Sequence, residues 1–184
     1  MEASFWKAST LTELTYDLRG ITPDDLPLLE SWLRQPHALE WWGDDVTGSL
    51  EEIIEAAEGV DTEPLIVELD GTPIAYLEIY DPHLEDDHPY QDQPFGTLGL
   101  DLTIGDPALI GRGHGSAILA QVSEQLFEEG APQLIVDPHP DNARAIRASA
   151  KAGFQEIARR TSLEGAVVLM ARMSEADADP DDGG

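Results

Sequence analysis

The sequence predicts an α/β fold: a mixed, mostly antiparallel central sheet flanked by helices, with element order β-α-α-β-β-β-α-β-α-β-β. Three observations carry this reading. Segments that alternate apolar and polar residues are interleaved with segments whose apolar residues recur every three or four positions. Three strand-like segments follow one another before a single strand–helix–strand unit, an order that a simple doubly wound parallel sheet does not have. A glycine-rich turn, IGRGHGS (110–116), stands where the helix of that unit begins.

The elements follow in chain order. LTELTYDL (11–18) alternates and fits a half-buried strand. TPDDLPLLESWLRQ (22–35) reads as a helix, with Thr22 as N-cap, Pro23 at the first helical position and Asp24 and Asp25 in the first turn. Leu26, Leu29 and Leu33 mark its inner face. SLEEIIEAAEG (49–59) is a second short helix that stops at Gly59. PLIVELDGTPIAYLEIYD (64–81) is a β-hairpin turning at Asp70-Gly71. The polar, proline-rich PHLEDDHPYQDQP (82–94) is a loop, long enough to suggest a functional role. TLGLDLTIG (97–105) is the next strand. Beyond the glycine turn, GSAILAQVSEQLFEEG (115–130) is a helix with Ile118, Leu119, Val122 and Leu126 facing inward. PQLIVDP (132–138) is a strand, and NARAIRASAKAGF (142–154) is a helix ending at Gly153. FQEIARRT (154–161) and AVVLMARM (166–173) close the fold as strands. Residues 1–173 form one domain on this reading. The final segment SEADADPDDGG (174–184), with five acids, is expected to be a disordered acidic tail.

Composition narrows the chemistry. The chain has no cysteine, which excludes disulfides, thiolate catalysis and cysteine-ligated zinc. It carries 37 acids against 10 Lys+Arg, a formal net charge of -27, so a nucleic-acid partner is not expected. That acidity reads either as a solvated surface or as a field that attracts a cationic ligand. No segment approaches the ~20 apolar residues of a membrane span, and the first residues show no signal-peptide pattern. A cytoplasmic protein without membrane contact is the expectation, as a monomer or homodimer. His37, His83, His88, His114 and His139 show no metal-ligand spacing and read as loop or turn histidines, with His114 set apart by its place in the glycine turn. No metal is expected.

The glycine turn itself is suited to phosphate. The first N–H groups of a helix lack internal partners, and the helix dipole adds about half a positive charge there. Glycines let a pyrophosphate approach the backbone, and Arg112 adds a side chain. GHGS lacks the lysine of a nucleotide-binding P-loop, and GxGxG is not the dinucleotide pattern GxGxxG. A tight strand-to-helix connection is the lesser alternative for the turn taken on its own.

The stretch GLDLTIGDPALIGRGHGSAILAQVSEQLF, followed by IVDPHPDNARAIRASAKAGF, resembles the GCN5-related N-acetyltransferase superfamily. That family binds acetyl-CoA through a loop of the form Arg/Gln-x-x-Gly-x-Gly/Ala. Here the glycines match, while Ile110 or its neighbour stands at the Arg/Gln position. QPHALEWWGDD, the GLD before the glycine turn and VDPHPDNARAIR…KAGF together look like the aminoglycoside 6'-N-acetyltransferases, over about residues 10 to 172. A sister group acylates hydroxylysine in siderophore synthesis and typically has histidine where this chain has Asp101.

The resemblance implies acetyl-CoA as co-substrate, with the backbone of Leu102, Thr103 and Ile104 along the pantetheine arm. It places Gly111, Arg112, Gly113, His114, Gly115 and Ser116 around the pyrophosphate, and Asn142 near the thiol end. Acceptor contacts fall at Asp101, Asp137 and Glu164, and in the long loop at Asp86, Asp87 and Tyr90. Trp41 and Trp42 would give an apolar wall for sugar rings, one of the pair facing the core because adjacent residues point apart. Asp101 would be catalytic, acting through a water or orienting the amine. Ser149 occupies the position where the family commonly has the tyrosine that protonates the thiolate. The expected activity is acetyl transfer to the 6'-amine of a cationic aminoglycoside in a ternary complex. The alternatives are acylation of a hydroxylysine precursor or another amine, and a catalytically weak acyl-CoA-binding module.

Overall fold

The computed structural model describes residues 15–162 and 165–176. Its strands are β1 (Asp17–Gly20), β2 (Thr62–Leu69), β3 (Thr72–Tyr80), β4 (Leu98–Ile104), β5 (Gln133–Val136), β6 (Gln155–Ser162) and β7 (Gly165–Met173). Its helices are α1 (Leu26–Leu33), α2 (Pro36–Trp42), α3 (Val46–Glu58), α4 (His114–Glu128) and α5 (Ala143–Lys151). The strands form one sheet in the order β1-β2-β3-β4-β5-β7-β6. Only β4 and β5 run parallel, joined across α4; the other neighbours are antiparallel.

The architecture matches the sequence reading except before β2. A third helix, α2, stands where the sequence showed only a proline and two tryptophans. Pro36 ends one helix and starts the next: Gln35 is extended (ψ 142°), and Pro36 takes the first helical position, where its missing N–H costs nothing. Gly43 (φ 87°) stops α2. α3 starts at Val46, earlier than expected, because the Asp45 side chain caps the Gly48 N–H at 3.0 Å. The helix expected from Thr22 opens as a 3-10 turn, Pro23–Asp25, before α1. The first half of the expected strand 11–18 lies outside the described residues, and pairing begins at Asp17. Most of the expected tail, 177–184, also lies outside them.

The β2–β3 hairpin turns at Asp70 (φ 51°) and Gly71 (φ 77°), two successive left-handed residues that match the twist of the strands. One face of the sheet packs Leu65, Val67, Leu77, Leu100 and Leu134 against Ile118, Leu119 and Val122 of α4. Each fully buried leucine there contributes about 1.5–3 kcal/mol relative to exposure. The other face is covered in two places. At one end Leu29, Trp32 and Ile53 pack on Ile66 and Tyr76. At the other, Tyr90 of the loop after β3 packs with Ile135, Leu169 and Tyr80. The strip between these covers carries Glu78, Asp101 and Asp137.

An ion-pair strap ties β1 to the start of α1. The Asp25 carboxylate accepts from both terminal nitrogens of Arg19, at 2.8 Å each, and from the Thr22 N–H at 2.8 Å. Arg19 Nε donates to Glu68 at 2.8 Å. The guanidinium holds the Asp25 carboxyl down at about 2. A depressed acid adds stability above its unfolded value near 3.9 and loses it as pH falls through the folded value. Asp25→Asn is therefore expected to lower Tm at pH 6 and to flatten the fall in Tm between pH 4 and 2, read by circular-dichroism melts across that window.

Candidate active site

The site is organised around β4. This strand pairs with β3 from Gly99 to Ile104, but with β5 only at Leu98 and Gly99. From Leu100 onward β4 and β5 part. The Gly105 N–H donates back to Ile74 O at 2.9 Å, so by strand alternation the backbone groups of Leu102 and Ile104 point to the parted side. His37, in α2 rather than the loop expected for it, donates Nε2–H to Ile104 O at 2.7 Å. Its buried Nδ1 has no partner among the described residues. Trp42 Nε1–H donates to Thr103 Oγ1 at 2.7 Å, and its ring meets Tyr76 with centroids 5.8 Å apart. Trp41 is 37% exposed and lies against His139. The adjacent tryptophans thus divide, one toward the core and one outward.

The glycine turn lies at the start of α4. Gly113 (φ 88°) is the N-cap and Gly111 has φ 72°; a side chain on either would meet nothing within 4 Å. The turn is open to the outside, and its left-handed backbone suits glycine alone. A Cβ built on Gly115 would lie 3.7 Å from the Ala148 Cβ of α5, an ordinary contact, so the packing of α4 on α5 does not itself require glycine there. His114 is buried, with Nδ1 held by the Tyr16 hydroxyl at 2.8 Å. Its bonded nitrogen faces the interior, so the turn offers a ligand mainly backbone. The Ser116 hydroxyl donates to Gly113 O at 3.1 Å. Asn142 caps α5, its Oδ1 accepting from the Ala145 N–H at 3.1 Å.

Cations divide in a matching way. Arg19, Arg34, Arg159, Arg160 and Arg172 are held in ion pairs. Arg112 in the turn and Arg144, Arg147 and Lys151 along one face of α5 are exposed and form no ion pair among the described residues.

On the other side of β4 lie the acids. Glu78 and Asp101 sit directly opposite each other in the β3–β4 register, with side chains on the same face. The Tyr76 hydroxyl donates to Glu78 Oε1 at 2.6 Å, and the Tyr90 hydroxyl donates to Asp137 Oδ2 at 2.6 Å. Asp101 keeps solvent-accessible surface although protein closely surrounds it, which describes the floor of a cleft. Burial first, then the charges of Glu78 and Asp137, push its carboxyl up to about 7. Burial also raises Glu78, with Glu52 of α3 adding to it and the Tyr76 hydrogen bond opposing it. Burial raises the phenols of Tyr76 and Tyr80 as well, making both weaker acids.

The remaining expected residues divide by exposure. Asp86 and Asp87 are exposed in the loop. Tyr90 is buried rather than open to solvent, with its hydroxyl bonded to Asp137. Ser149 is buried on α5, and Glu164 lies outside the described residues. Sequence reasoning missed Glu78 and His37. A charged residue between Tyr76 and Tyr80, on the same face of a strand with buried neighbours, was the signal available for Glu78. Among the described residues no group of three or more His, Asp or Glu is placed to hold a metal. No described helix is long and apolar enough to cross a membrane.

A sheet that parts beside a glycine-capped helix defines the GNAT acyltransferase class, and the comparisons agree. Residues 22–161 match the model of the acetyltransferase (GNAT) domain family. The chain belongs to this family, and it is an acyltransferase with acetyl-CoA as its co-substrate. It is 31% identical over 169 residues to the aminoglycoside N(6')-acetyltransferase type 1 of Klebsiella pneumoniae, covering 86% of this chain and 83% of that enzyme. It is 31% identical over 137 residues to the N-hydroxyputrescine acetyltransferase of Acinetobacter baumannii, covering 73% of this chain and 65% of that one. A solved structure of AAC(6')-Ib in complex with paromomycin and acetyl-CoA superposes with TM-score 0.78 at 27% identity, over 92% of this chain and 99% of that chain.

Proposed function

We propose that the chain acetylates the 6'-amine of a cationic aminoglycoside by direct transfer from acetyl-CoA in a ternary complex. One observation carries the reading: β4 presents a backbone edge without a partner strand where it leaves β5, with Ile104 O taken by His37, and the Asp101 side chain on its cleft face. Two substrates can therefore meet across a single strand. Leu102, Thr103 and Ile104 line the pantetheine arm, and Gly111 to Ser116 cradle the pyrophosphate. Asn142 stands near the thiol end. The unpaired Arg112, Arg144, Arg147 and Lys151 make this side locally cationic within a chain of net charge -27. Local field, not net charge, governs binding over a few ångströms.

The acids take the other substrate. Asp101, Asp137, Asp86, Asp87 and Glu164 collect its ammonium groups, and the exposed Trp41 ring offers a face to the sugars. An exposed ammonium–carboxylate pair gives about 0–1 kcal/mol, but several converging in one cleft reach micromolar affinity. The amine nitrogen attacks the thioester carbonyl carbon, the N–C bond forms and the C–S bond breaks. Before that attack the ammonium gives one proton to Asp101, directly or through a water, because only the neutral amine has a lone pair; the second proton leaves the nitrogen as the amide forms. An ordinary aspartate lies ~6 units below an alkyl ammonium. With Asp101 raised to about 7, the gap is roughly halved.

The departing thiolate takes a proton through a water held at Ser149, whose hydroxyl is too short to replace a tyrosine. Ser149→Ala is expected to lower kcat about tenfold, below the ~100- to 10,000-fold of a direct general acid, with the acetyl-CoA KM unchanged. Steady-state kinetics at saturating amine read both quantities.

A second reading, acylation of an N-hydroxylated amine, is favoured by the likeness to the N-hydroxyputrescine enzyme. A thiol-release assay with acetyl-CoA against kanamycin, hydroxylysine, N-hydroxyputrescine and spermine separates the two. The highest kcat/KM is expected with kanamycin; a preference for a hydroxylated amine would replace the first reading with the second.

A further inference from the structure

We propose that Glu78 is a positioning residue for the transfer reaction: facing Asp101 across the strand pair and anchored by the Tyr76 hydroxyl, it acts on the amine through Asp101. The inference rests on the reading of Asp101 given above and adds a residue that the reading did not require.

The geometry is specific. Glu78 and Asp101 are directly opposed on adjacent antiparallel strands, an arrangement in which like charges are destabilising. A fold without use for that repulsion would place a neutral residue at one position, since the pair is destabilising in the free protein. Glu78 is instead fastened in place by the 2.6 Å hydrogen bond from Tyr76, itself packed in the cluster under α1 and α3. The Glu78 carboxylate is therefore not free to swing away from its neighbour.

The groups facing Asp101 are few. From β3 come Glu78, Tyr76 and Tyr80; from the segment after β5 comes Asp137, which Tyr90 of the loop holds. Glu52 of α3 acts on Glu78 in turn. The phenols are neutral at ordinary pH, so Glu78 and Asp137 are the charges that oppose ionisation of Asp101. Of these, Glu78 is the larger cause. Negative charge at Glu78 makes Asp101 a stronger base, and two such groups take up protons in steps shared by the pair. An arriving ammonium relieves the repulsion and leaves its proton on the stronger base. Glu78 thus couples amine binding to proton removal without touching the reacting nitrogen.

The test is Glu78→Gln, which keeps an acceptor for Tyr76 and removes the charge. The Asp101 carboxyl, followed by carbon-13 NMR titration of the free protein, is expected to fall by about one pH unit. The acidic limb of kcat/KM for the amine should move down equally, with the acetyl-CoA KM unchanged. Glu78→Asp keeps the charge and should hold the limb near wild type. A folded Glu78→Gln variant with an unmoved Asp101 midpoint would overturn the proposal. Asp101→Asn separates the two failures: turnover surviving in that variant sinks the reading of Asp101, whereas lost turnover with an unmoved midpoint sinks only the role of Glu78.

Discussion

Asp101→Asn is expected to lower kcat for the amine by about 100-fold or more while leaving acetyl-CoA affinity unchanged. Loss of a general base costs on the order of 100- to 10,000-fold, and nothing in the glycine turn depends on this side chain. The pH profile supplies the sharper reading. Wild-type kcat/KM should rise as pH passes about 7 and then level, and the variant should lose that limb. Stability should move in the opposite sense. A carboxyl raised in the folded state keeps its proton after the unfolded chain has lost it, so the group costs stability as pH climbs from near 4 through about 7. Asp101→Asn removes that cost. Its Tm should exceed wild type at pH 8 and match it near pH 4. Equal Tm values at both pH values would show that the acid cleft stores no electrostatic strain.

Gly99→Ala should be the most disruptive single methyl group in the cleft. A Cβ there would lie 1.9 Å from Cζ of Tyr80, so the ring would have to leave its position. Tyr80 packs with Tyr90, Ile135 and Leu169, and its ring also lies 5.4 Å from that of His88. Displacing it disturbs the cover that holds Asp137. Overpacking of this kind costs about 1–3 kcal/mol or more, and for a chain of this size ~3 kcal/mol lowers Tm by roughly 6–12 °C. The amine KM should rise as the Tyr90–Asp137 contact loosens, and the acetyl-CoA KM should change less. A melt within one or two degrees of wild type would mean that Tyr80 yields without strain.

Much of this was legible in the residues, for identifiable reasons. The β2–β3 hairpin announces itself because Asp-Gly between alternating apolar runs has few other uses. α4 and its glycine turn are equally plain, since apolar spacing and glycine punctuation agree. α2 was hidden because Pro36 reads as a stop, and at the junction of two helices it is also a start. Within the site, Asp101 was visible through its sequence context. Glu78 was not, because its meaning comes from the residue across the strand pair, and register is set by tertiary pairing. Likewise Asn142 and His114 are typed by motif as ligand contacts, and the structure gives each a structural bond as well. The chain's acidity was ambiguous in the same way. Only the fold shows that three of the acids, Glu78, Asp101 and Asp137, come together beside β4, while unpaired cations stand on the turn and α5.

The parting of β4 from β5 leaves the sheet one ladder short in its middle. On the proposed reading, that gap is filled by the amide-bearing arm of acetyl-CoA, which then serves as a borrowed strand that no gene encodes. The protein finishes its own architecture only when loaded, and each turnover takes a piece of the sheet apart and puts it back. Product departure thus becomes a small act of unfolding at the centre of the fold.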